Sequence, residues 1–204
     1  MNKQTTLGHE TYKYSLQKQE ELFLNLVLNN KNISEILNRG FTNELPNWYL
    51  VAGCINQTIW NQLTNKGINR AIVDYDLIYF DTDISATKEK YIRKMIHDKY
   101  KDLNINLDVV NQARVHLWTE KDMGLTMRPL SSCEDAIASW PITASCIGIR
   151  KEADMYVIVA PYGLTDNLEM VLRPNKTTVM REMDFYSKVN KWLTKWPELT
   201  VLPW

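Results

Sequence analysis

Val73-Asp74-Tyr75-Asp76-Leu77-Ile78-Tyr79-Phe80 opens with two carboxylates two residues apart and continues as an apolar run. Read as a strand, it places Asp74 and Asp76 on one face, because side chains alternate with period two. The residues that follow are apolar on both parities, which is the pattern of a strand covered on both sides. Two carboxylates at the head of such a strand carry a desolvation cost, and a bound cation is the common way to offset it.

The pattern upstream of this strand is a strand, a glycine and a helix. Trp48-Tyr49-Leu50-Val51-Ala52 is aromatic and aliphatic enough for a buried strand. Gly53-Cys54 ends it, and Ile55, Ile59 and Leu63 form one stripe of a helix over 55–64. A helix start directly after a strand offers free backbone N–H groups, a place that suits phosphate. A polar loop over 65–71 then leads into the Asp-x-Asp strand, set at 72–80. Downstream, Asp81-Thr82-Asp83 forms a turn, and Ser85 caps a helix that runs to about Tyr100. A third strand over 104–110 places Asp108 among apolar neighbours, and a short mixed segment from Asn111 to Trp118 carries Arg114 and His116.

The flanks read as helical cover. Residues 1–14 form a frayed lead-in. Helices over 15–30 and 33–39 make a hairpin that Gly40 stops. Leu45-Pro46-Asn47 is a turn. Ser132-Cys133-Glu134-Asp135 has the form of a capping box and starts a helix that Pro141 ends. Runs at 145–150 and 155–160 form a hairpin, residues 167–172 a short helix, and residues 177–196 a long last helix with Met180, Met183, Phe185, Val189 and Trp192 among its apolar positions. The fold expected is α/β: a small mixed sheet of about five strands with helices mainly on one face, an N-terminal helix pair and a long C-terminal helix. After the lead-in the chain forms one domain over 15–204, made of the hairpin at 15–44, a core at 45–118, and C-terminal helices and hairpin at 119–204.

Composition excludes several classes. Lys+Arg and Asp+Glu are 24 each, so no global basic field favours a long nucleic acid or an anionic membrane. No apolar run is long enough to span a bilayer. Three cysteines without C-x-x-C spacing, Cys54, Cys133 and Cys146, fit a reducing cytoplasm better than a disulfide scaffold.

The order of strand, glycine, helix, Asp-x-Asp strand, helix and strand with Asp resembles the DNA polymerase beta-like nucleotidyltransferase superfamily. A closer resemblance, to a bacterial family of nucleotidyltransferase-like proteins, runs from about residue 45 to the C-terminus. It is carried by Trp48-Tyr49-Leu50-Val51-Ala52-Gly53, Ile59-Trp60-Asn61, the Asp74 to Asp81 stretch, Asp108 to Trp118, Glu134-Asp135-Ala136-Ile137 with Trp140-Pro141, and Ala160-Pro161-Tyr162-Gly163-Leu164. The resemblance implies transfer of a nucleoside monophosphate from a nucleoside triphosphate, with pyrophosphate release. Asp74, Asp76 and Asp108 would hold two Mg²⁺ or Mn²⁺ ions, and Asp108 is also the candidate proton acceptor. Gly53 and Cys54 would cradle phosphates. Arg114 and Lys176, with Arg150 and Arg173, are further phosphate candidates. The acceptor stays open among a small molecule, a protein side chain and a tRNA end.

Two features depart from the superfamily pattern. Position 54 is Cys where Gly or Ser is usual, and 20 residues separate Gly53 from Asp74. They keep a second reading open, a nucleotide- or partner-binding module without turnover, and beside it stands a metal-dependent phosphohydrolase. Structural readings accompany each residue. Asp81 and Asp83 are turn and helix-start charges. Asp108 has an ion pair with Arg114 as its alternative. Cys54 is packing or, at a helix start, a reactive thiol. Glu134 and Asp135 are helix-start acids, with substrate orientation as their other reading. His116 is a packed or hydrogen-bonded histidine, with a catalytic base as its other reading. Trp60 and Trp118 are core, while Trp192, Trp196 and Trp204 dock the last helix, with base stacking or a dimer contact as alternatives.

Overall fold

A computed structural model of the chain describes residues 10–41, 45, 47–124, 126–177, 179 and 181–204. Most of the expected lead-in, Pro46 of the expected turn and Met180 of the expected last helix therefore lie outside the described residues.

Helices α1 (Leu16–Leu28) and α2 (Lys31–Arg39) form the hairpin. Ser15 Oγ accepts from the Lys18 amide and starts α1. Asn30 Oδ1 accepts from the Asn32 and Ile33 amides and starts α2. Asn30 is itself buried, and its Nδ2 donates to Thr58 Oγ1 at 2.9 Å, so a helix cap also ties the hairpin to the domain. Residues 10–14 are not frayed. Thr11 is buried, and its hydroxyl donates to Glu169 Oε1 at 2.9 Å.

Strand β1 (Trp48–Val51) leads through Ala52 into α3 (Gly53–Leu63). The central elements follow as β2 (Tyr75–Tyr79), α4 (Ala86–Tyr100), β3 (Leu107–Asn111) and α5 (Val115–Met123). A short α6 (Cys133–Ala138) precedes the hairpin β4 (Gly148–Glu152) and β5 (Met155–Val159). The sheet order is β3-β2-β1-β4-β5, with β2 and β3 parallel and the other neighbours antiparallel. The parallel pair is joined by α4, as a parallel connection needs a crossover.

β2 is shorter than the sequence suggests. Val73 is exposed and Asp74 precedes the ladder. The limit comes from the neighbour: β1 ends at Val51, which pairs with Asp76, and the chain then turns away into α3. No β1 residue remains to pair with Asp74. The expected helix over 167–172 is likewise divided. Met170, at φ 58°, ends the short α7 (Thr165–Leu168) and leads into β6 (Val171–Leu172). β6 pairs in parallel with β7 (Thr200–Val201). The last helix, α8, is Glu182–Leu193 and so starts later than expected. Asp184 Oδ2 accepts from the Arg181 amide at 3.0 Å and fixes its start. At α6 the expected box is half formed. Ser132 Oγ accepts from the Asp135 amide, while the Asp135 carboxylate turns to Arg128 and the Ser131 amide.

The main core lies on one face of the sheet. It joins Phe23 and Val27 of α1, Ile33, Ile36 and Leu37 of α2, Ile55, Ile59 and Trp60 of α3, and Phe185, Val189 and Trp192 of α8. Trp60 meets Trp192 and Trp196 edge-to-face, with ring centroids 5.1 and 5.6 Å apart. The indole N–H of Trp60 donates to Asn167 O at 3.2 Å, and that of Trp196 to Asn61 Oδ1 at 3.0 Å. The C-terminal tryptophans therefore dock the last helix. A second, smaller core on the opposite face packs Tyr49, Val51 and Ile78 against Leu130, Cys133, Ala136, Ile137 and Cys146. Among the described residues, no helix is long and apolar enough to cross a membrane. Trp60→Ala should destabilise the protein by about 3–5 kcal/mol, read from urea-unfolding midpoints, because a fully buried aromatic leaves a cavity.

Candidate active site

The ladder brings the carboxylates together. In the parallel β2–β3 pair, Asp76 stands opposite Asp108, and on its other side Asp76 pairs with Val51, just before the turn into α3. A cleft of about 350 Å³ opens here, within the roughly 300–1,000 Å³ common for small-molecule sites. Asp76, Asp108 and Ala52 line it from the sheet side, Trp118 from α5, and Asp184 and Lys188 from α8.

The turn into α3 is strained. Ala52 has φ 49° and ψ −116°, a left-handed conformation that a residue with a Cβ rarely adopts. No side chain caps α3, so its first amides have no side-chain cap as partner. A Cβ added at Gly53 would stand 3.7 Å from Asp76 Oδ2, an ordinary contact. The glycine is therefore not demanded by space. The distance instead shows that one carboxylate oxygen of Asp76 lies beside the first turn of α3.

Charge in the cleft is unbalanced. Burial pushes the Asp76 pKa up to about 6, helped by the like charges of Asp74 and Asp108 and opposed by Lys188. Lys188 keeps contact with solvent along the cleft wall, while protein crowds its ammonium and lowers its pKa. The charges of Asp76 and Asp74 oppose that shift. Its ammonium also lies 5.1 Å from the Trp192 ring centroid. Among the described residues, no three acidic, histidine or cysteine side chains stand close enough to enclose a metal ion. The expected three-carboxylate cage is thus not preformed. Asp76 and Asp108 share the cleft, and Asp74 acts on Asp76 through its charge from just outside the strand. The donor set still fits a hard cation. It is all oxygen, and Mg²⁺ is commonly held by one or two carboxylates together with phosphate oxygens.

The other expected site residues lie elsewhere. Arg114 pairs with Glu89 of α4 at 2.9 Å and donates to the Ile84 carbonyl, so it meets neither Asp108 nor the cleft. Arg173 pairs with Asp166 at 2.9 Å, and Arg150 pairs with Glu152 at 2.6 Å while stacking on Tyr49. Lys176 is exposed and does not line the cleft. The Cys54 side chain is buried against Val51 O, and burial followed by the Asp76 charge raises its pKa well above the thiol range. It is a packing residue, not a reactive thiol. Glu134 accepts from Tyr49 Oη at 2.7 Å. Asp81 and Asp83 accept from the amides of Asp83 and Ser85 and flank Lys88, as turn and helix-start charges do.

The sequence reading missed Lys188, Asp184, Ser145 and Gln112, and it placed Trp118 in the core. Trp118 is 41% exposed and lines the cleft. Asp184 and Lys188 are four apart and so share a helix face, a spacing that was available in the sequence.

A family model described as "Nucleotidyltransferase" matches residues 41–201. The fold and the paired carboxylates thus have a class, and the chain belongs to this nucleotidyltransferase family. A solved structure described as "The NMR structure of the protein reveals a CCA-adding enzyme head domain" is similar in fold. It is 23% identical, with a TM-score of 0.73, and the match covers 90% of this chain and 96% of that one. No curated protein matches the sequence.

The unbalanced charge gives a stability test. Asp76 has its pKa raised from 3.8 to about 6, so between these values the folded chain holds a proton that the unfolded chain has lost. Its ionisation then works against folding as pH rises. Asp76→Asn should stabilise the metal-free protein by about 1–3 kcal/mol above pH 6, and the gain should fade as pH drops toward 4. Unfolding measured across this pH range checks the sign.

Proposed function

We propose that the chain moves a nucleoside monophosphate from a nucleoside triphosphate to an acceptor hydroxyl or phosphate, releasing pyrophosphate, in the cleft between β2–β3 and α8. The observation that carries this reading is the register of Asp76 opposite Asp108, beside the uncapped start of α3. Family membership supports it.

Each group has a role that follows from its position. The amides of Gly53 and Cys54 and the ammonium of Lys188 would hold the β- and γ-phosphates, whose charge the helix start and the cation favour. Asp76 and Asp108 would hold Mg²⁺ or Mn²⁺, with Asp74 adding negative charge or a further oxygen. Bound there, divalent ions supply neutralisation of the phosphate oxygens during in-line displacement. Asp108 is open to the cleft and placed to accept the proton of an attacking hydroxyl. The acceptor oxygen bonds to the α-phosphorus, the bond to the β-phosphate bridge breaks, and pyrophosphate carries away the electron pair. Lys188 then stabilises the leaving charge. A cytoplasmic site of action and a small-molecule, protein or tRNA acceptor accompany this reading.

The second reading, a binding module, draws on the buried Cys54 and on the absence of a preformed acidic cage among the described residues. Pyrophosphate release with each of the four common nucleoside triphosphates and Mg²⁺ or Mn²⁺, across a panel of the three acceptor types, separates the two. Transfer requires release in the wild type. Asp108→Asn should reduce it by about 10²–10⁴-fold and Lys188→Met by about 10²–10³-fold. Nucleotide binding without release across the panel supports the binding module instead.

A further inference from the structure

We infer that the apolar pocket beside the cleft holds the base of the nucleotide, with the Trp118 indole as its stacking partner. The inference rests on the nucleotidyl-transfer reading above. The pocket encloses about 180 Å³, walled mainly by Trp118, Trp140, Met127 and Leu130. Gln112, Val115, Trp118, Trp140 and Pro141 line both this pocket and the cleft, so the two spaces are continuous. Gln112 follows directly on the strand that carries Asp108. A flat ring in the pocket would therefore remain joined through its sugar to a phosphate at Asp76 and Asp108.

The chemistry of the walls fits a base. Trp118 is 41% and Val179 48% exposed, although both border an apolar cavity. Large apolar groups left wet at a concave site gain from a flat apolar ligand. An indole face stacks on any base, because every base has a π-face. The polar edge sets no sharp preference among bases. Thr119 Oγ1 donates to Val115 O at 2.6 Å and Ser139 Oγ to Ala136 O at 2.8 Å, so these hydroxyl oxygens can accept, while Gln112 keeps one amide N–H beyond its 3.4 Å bond to Val110 O and can donate as well.

Calorimetric titration of the full chain with ATP, CTP, UTP and inorganic tripolyphosphate, each with Mg²⁺, tests this. The wild type should bind at least one of the three nucleotides more tightly than tripolyphosphate. Trp118→Ala should weaken the nucleotides that bind about tenfold or more, leave tripolyphosphate unchanged, and be largely rescued in Trp118→Phe. Equal weakening of all ligands, or no weakening of any, would overturn the inference. Tripolyphosphate binding as tightly as every nucleotide would overturn it too, while leaving the phosphate site and the transfer reading standing. A wild type that binds none of the four removes the transfer reading and the base pocket together.

Discussion

The carboxylate of Asp76 is held where it is poorly solvated, between the end of β1 and the facing Asp108 of β3, with the start of α3 against it. Several features of the chain follow from that constraint. β1 must stop at Val51 so that the backbone can turn at Ala52 and present amides beside the acid. β3 must return parallel to β2 so that Asp108 falls opposite Asp76, and α4 supplies the crossover. α8 must lie across the cleft so that Lys188 provides a cation. The tryptophan contacts of Trp60 with Trp192 and Trp196 hold that helix in place.

The charge of Lys188 alone does not resolve the imbalance. Lys188 opposes the shift of Asp76, yet burial and the two neighbouring acids still raise it to about 6. A site arranged this way is less stable without a positive ligand than with one. Groups that depress stability and sit in a cleft, next to a strained backbone residue, are common marks of functional sites. A hard divalent cation with its phosphate oxygens is the ligand chemistry that would relieve this charge, and it accords with the proposed transfer.

Local pattern carried much of this into the sequence. The alternation and apolar tail of the Asp-x-Asp stretch marked β2, the glycine after an aromatic strand marked the start of α3, and Ser15, Ser85 and Ser132 marked helix starts. What failed depended on partners distant in the chain. Asp74 fell outside its strand because a neighbouring strand ended early. Arg114 was available for phosphate until the fold set Glu89 of α4 against it. Lys188 lies on a helix that no local rule links to Asp76. Trp118 reads as core by composition, and only the tertiary arrangement of α5 leaves one side of it open to the cleft.

The central claim is that Asp76 and Asp108 form a divalent-cation site beside the phosphate-binding turn. Titration with Mn²⁺ in the presence of a nucleoside triphosphate, followed by paramagnetic broadening of backbone amide resonances, tests it directly. The account predicts that broadening appears first at Asp76, Asp108 and Gly53, spreads to Lys188, and is lost in Asp76→Asn. Broadening centred on Asp81 and Asp83, or spread evenly over the surface acids and unchanged in that variant, would contradict it.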